Sequence, residues 1–68
     1  MEYQAELELP YSPSVGSYIT GYIFNDSATH GNHPFRDATP IYTSTIQDIV
    51  VEEDAAYIIT RNTVYKLI

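Results

Sequence analysis

Two histidines, His30 and His33, stand three positions apart with Asp26 and Asp37 on either side. Imidazole and carboxylate at such spacing can hold zinc or a similar ion. Ser27 lies in the same stretch, so a nucleophilic set of Ser27, His30 and Asp37 can also be written down. A plainer reading competes with both. The segment NDSATHGNHPFRDATP, residues 25 to 40, contains Gly31, Pro34 and Pro40 and no cysteine, which is the composition of a turn-rich loop. A hydrolytic triad also needs an oxyanion hole and a rigidly held base, and the chain has no G-x-S-x-G elbow. The expectation is therefore no enzyme, no metal and no cofactor, with His30 and His33 kept as candidate ligand contacts.

Phe35 and Arg36 form an apolar ring beside the first base of the chain, in the same segment. A connection of this length within a compact domain is usually functional or disordered. A purely disordered linker has little use for such a pair. The stretch HPFRDATP is expected to pack back on the body or to be presented to a partner, with Arg36 able to pair a carboxylate or phosphate. In the competing reading Phe35 only caps one open end of the body.

Seven tyrosines in 68 residues is the most unusual feature of the composition. A buried phenol hydroxyl requires a hydrogen-bond partner, so a domain this small cannot hold them all in its core. Exposed tyrosine gives a large contact area at low entropic cost, and Tyr18, Tyr22 and Tyr42 join Phe35, Arg36 and Asp37 as candidate binding residues. Alternatively, tyrosines plug the ends of a narrow barrel with their hydroxyls outward. A third feature is acidic: Glu2, Glu6 and Glu8 alternate along one stretch, and Glu52, Glu53 and Asp54 cluster in another. Such carboxylates can imitate a phosphate backbone, or they can simply be the wet face of a half-buried sheet.

Three bases against nine acids give a net charge of −6. That sign repels phosphate backbones, so direct nucleic-acid binding is disfavoured. The length allows one domain, residues 1 to 68, with marginal burial. Without cysteine no disulfide reinforces it, which leaves association with a copy of itself or with another protein as a route to stability. The start MEYQAELEL lacks a signal-peptide pattern, and no apolar run is long enough to cross a membrane as a helix. A cytoplasmic location is expected, and Asn25-Asp26-Ser27 is then an accidental glycosylation match.

Residues 1 to 9 alternate strictly, with Met1, Tyr3, Ala5, Leu7 and Leu9 of one parity, as a half-buried strand does. GSYITGYIF, residues 16 to 24, reads as a second strand in which Gly21 marks a bulge or a close backbone approach. IYTSTIQDIVV reads as a third, whose parity slips at Ile49-Val50-Val51. EEDA reads as a turn, and AYIIT and VYKLI as the last two strands. Between them Arg61-Asn62 form a two-residue hairpin in which Asn62 takes positive φ. The expected fold is all-β: about five short antiparallel strands in a small SH3-like or OB-like barrel or curled sheet, with one long loop between strands two and three.

The stretches PFRDATPIYTSTI and YIITRNTVYKLI, within residues 34 to 68, resemble a pattern of small all-β accessory proteins of phages and prophages. That resemblance implies an inhibitor of a host defence or regulatory complex, of the anti-CRISPR or anti-restriction kind, with a host protein as partner and a host cytoplasm as location. Two other functions are consistent with the residues. One is an oligomer that sequesters a nucleotide-like anion through Arg36, Arg61 and Lys66; the other is a structural piece of a virion.

Overall fold

The computed structural model describes residues 1–27 and 34–68. Six strands form one sheet: β1 Ala5–Glu8, β2 Thr20–Phe24, β3 Thr39–Tyr42, β4 Ile46–Glu52, β5 Ala55–Thr60 and β6 Val64–Leu67. No helix occurs among the described residues. The order across the sheet is β3-β2-β1-β6-β5-β4. Neighbours are antiparallel except β1 and β6, which run parallel with Leu7 beside Leu67.

The all-β expectation holds, whereas the count of five and the purely antiparallel pairing do not; of the two expected shapes, barrel or curled sheet, the sheet is not closed into a barrel. The run IYTSTIQDIVV supplies parts of two strands rather than one. β3 ends at Tyr42, β4 begins at Ile46, and a register shift follows between Ile46 and Asp48. These are the two edge strands of the sheet. In a flat sheet five inter-strand gaps of ~4.8 Å would hold them ~24 Å apart. Four Cα steps from Tyr42 to Ile46 reach at most ~14 Å. The sheet must therefore curl until its edges approach.

A backbone strap holds that curl. The stretch before β2 runs beside the β3–β4 link: Ile46 donates to the Ser17 carbonyl at 2.8 Å, Gly16 donates to the Ile46 carbonyl at 2.8 Å, and Thr43 donates to the Ile19 carbonyl at 2.9 Å. Gly16 has a φ of +90°, where a side chain would be strained. Buried Thr43 adds a fourth link by accepting the Ile19 N–H on its hydroxyl at 3.0 Å.

Inside the curl lie Ala5, Leu7, Ile19, Ile23, Ile46, Ile58 and Tyr65, with Leu9, Ile41, Ile49 and Leu67 packed against them. The alternation of β1 is thus read correctly from Ala5 onward, but Met1 and Tyr3 are exposed. The chain changes course at Gln4, whose side-chain oxygen takes the Val64 N–H and whose backbone N–H goes to the Val64 carbonyl. Tyr3 then reaches the outer face, where its ring meets Tyr57 at 6.0 Å and Lys66 Nζ at 5.6 Å. Beyond β6, Ile68 continues the pairing by donating to the Leu7 carbonyl.

The β5–β6 turn differs from expectation in its chemistry. Asn62 is not at positive φ; among the described residues only Asn25, Ala38 and Gly16 are. Thr60 closes the turn instead. Its backbone and hydroxyl both donate to the Thr63 carbonyl, and the hydroxyl oxygen accepts the Thr63 N–H.

Candidate functional site

β2 and β3 form one margin of the sheet, and their register fixes which side chains stand together. Tyr22 faces Pro40, and two residues further along Thr20 faces Tyr42. Gly21 and Ile41, between these two pairs, turn inward. The outer face therefore carries two ridges with backbone between them. The result is a groove of about 440 Å³ walled by Tyr22, Pro40, Thr20 and Tyr42, with Pro10 also in its lining. Tyr42 is 76% exposed and Tyr18 is 61% exposed. Their rings support one another at 6.0 Å with a 58° tilt. Tyr11 and Tyr18 extend the aromatic surface into an adjoining depression over residues 11 to 20.

Proline at position 40 suits this place. It cannot donate to a sheet ladder, so within sheets it is confined to edges and bulges, and β3 is an edge. Glu8, exposed on the outer face of β1, lies in register with Tyr22 and puts a carboxylate beside the groove. The surface offers ring faces, phenol hydroxyls and one nearby negative charge.

The tyrosines divide as their number required: Tyr57 and Tyr65 are buried, while Tyr3, Tyr11, Tyr18, Tyr22 and Tyr42 are exposed. Candidates Tyr18, Tyr22 and Tyr42 therefore share one surface. Sequence reading missed Pro10 and Pro40 as parts of it. The signal was a proline adjacent to the residue that pairs with Gly21, visible only once the register is known.

The loop candidates serve a different end. His30 and His33 lie outside the described residues. Asp37 takes the Asn25 N–H at 2.9 Å and Asp26 takes the Phe35 N–H at 2.9 Å, so the two carboxylates pin the two loop stems to each other. Ser27 hydrogen-bonds the Gln4 carbonyl through both its backbone and its hydroxyl. Of the Ser27, His30, Asp37 set, the two described members are thus engaged in anchoring the loop. Ala38 sits at φ +65° and donates to the Ile23 carbonyl. Phe35 borders a second depression of about 300 Å³ with Tyr42, Asn62 and Tyr65, which brings this stem back against the body. The Arg36 side chain is exposed, and its carbonyl accepts from Thr39.

The acidic candidates do not form one continuous row. Glu6 and Glu8 share the outer face of β1, where Glu6 accepts from the Asn25 side chain and stands between Phe24 and Lys66. Glu2 precedes the strand. Glu52 pairs with the N-terminal ammonium at 3.1 Å, and Glu53 and Asp54 form the exposed β4–β5 turn three strands away. The decoy row of three glutamates is thereby reduced to two. No group of three metal-ligating side chains occurs among the described residues, and no helix is long and apolar enough to cross a membrane.

No family model, no curated protein and no solved structure matches the chain.

Proposed function

We propose that the chain is a non-enzymatic protein-binding module that docks through the tyrosine-rich outer face of β2 and β3. The phage-type resemblance extends this reading to an inhibitor of a host defence or regulatory complex. The observation that carries it is the pair Tyr18 and Tyr42, largely exposed yet in tilted ring contact with each other. Large exposed rings in mutual contact, beside a proline and a further tyrosine, form the kind of apolar patch that marks an interaction site. The net charge of −6 favours a partner with a basic surface.

The test compares immobilised wild-type chain with the Tyr18→Ala/Tyr42→Ala variant in host extract. Both side chains are mostly solvent-facing, so the variant retains its thermal midpoint within a few degrees. Specific capture by the wild type and its loss in the folded variant is the expected result. Equal capture by both removes the tyrosine face from the function.

A further inference from the structure

We infer that the groove between Tyr22–Pro40 and Thr20–Tyr42 takes a proline-rich segment in the polyproline II conformation, flanked by arginine or lysine. This rests on the protein-binding reading and specifies its ligand.

The first argument is width. The ridges are two residues apart along their strands, hence ~6.8 Å. That spacing is between ridge centres, so the slot itself is about one ring wide and admits a single proline ring. An α-helix ~10–12 Å across can only lie over the ridges. A polyproline II helix is slimmer, with three residues per turn, and its proline rings pack flat against aromatic faces.

The second argument is hydrogen bonding. A polyproline II ligand has no internal hydrogen bonds, so its carbonyls need donors. Tyr22 and Tyr42 supply phenol hydroxyls at the groove walls, with Tyr18 behind Tyr42. An added β-strand would need a continuous row of backbone donors instead, and Pro40 interrupts that row on β3.

The third argument is charge. Glu8 stands in register with Tyr22 at one wall, on a chain of net charge −6. A cation flanking the prolines meets that carboxylate, and a flanking acid is repelled.

The experiment titrates the full chain with a short oligoproline peptide carrying arginines at one end, followed by amide chemical shifts. The expected result is saturable binding with shifts concentrated in β2 and β3. Tyr42→Ala weakens it at least ~10-fold, as loss of an interface anchor does. Glu8→Gln weakens the arginine-tailed peptide and leaves an uncharged oligoproline unaffected. The inference is overturned if there is no saturable binding, if a glycine-substituted peptide binds equally well, or if folded Tyr42→Ala binds like the wild type. Failure with the peptide alongside tyrosine-dependent capture from extract rejects the polyproline ligand alone. Failure of both rejects the binding face itself.

Discussion

A Cβ at position 21 would lie 2.7 Å from the Glu8 carbonyl oxygen and 3.0 Å from a Leu9 methyl. The first neighbour is backbone of the central strand β1, so it cannot swing aside. Gly21→Ala is expected to destabilise the fold by ~1–3 kcal/mol, as other insertions into packed sites do, which a denaturant midpoint will show. A wild-type midpoint would mean that β1 and β2 separate freely. This position was legible in the sequence, because a lone glycine among β-branched and aromatic residues marks close approach. Tyr65 was not legible in the same way, since nothing separates a core tyrosine from a surface one until the partners are known. Burial pushes its phenol above the ordinary value of 10.0; the side-chain hydrogen bond with Thr63 works against that rise, and Asp26 adds to it. A raised folded value means the fold favours the neutral phenol. That contribution is fully present below pH ~10, the unfolded value, and is lost as pH climbs through the folded one. Denaturant midpoints above pH ~10 should fall more steeply for wild type than for Tyr65→Phe, and parallel slopes would refute the assignment.

At the scale of elements, period-two patterning located most of the strands but could not say which partner each one takes. Residues 41 to 51 form one β-branched run in the sequence, yet the chain leaves β2 at Tyr42 and joins β5 from Ile46. Apolar alternation reports a buried face and carries no mark of a change of neighbour. The strap that enforces the change depends on Thr43, a residue whose β-branching reads simply as strand. Thr43→Val keeps the shape but removes the oxygen that accepts the Ile19 N–H. Leaving that buried donor without its partner should cost ~1–3 kcal/mol. The amide of Ile19 should exchange faster with solvent than those of β5 and β6; unchanged protection would show that the hydroxyl contributes nothing. The Asn62 expectation failed for a related reason. Turn preferences assume that backbone geometry must do the work, whereas the Thr60 hydroxyl bonds both backbone groups of Thr63.

For the whole molecule, curling brings the edges together without sealing them, and β4 keeps an outward side. Charge opposes pairing of two copies there. A twofold axis at Val50 sets Asp48 opposite Glu52, and one at Val51 sets Asp48 opposite Asp54; like charges placed directly opposite destabilise a sheet. Asp48 also occupies the Ile49 N–H at 2.8 Å, which removes one edge donor from any incoming strand. Val51, 78% exposed on the same strand, is the apolar surface these acids guard. Neutralising them in the variant Asp48→Asn/Glu52→Gln should raise self-association at neutral pH. Sedimentation velocity over a concentration series should then show a larger dimer fraction than for wild type, and the dimer should be suppressed again by Val51→Lys. A variant as monomeric as wild type would place the barrier elsewhere, in the twist of the strand or the bulge between Ile46 and Asp48. Either way the edge and the tyrosine face would be separable. If Tyr18→Ala/Tyr42→Ala also changes the dimer fraction, then the same rings close the molecule on itself, and their exposure in the single chain belongs to assembly rather than to a foreign partner.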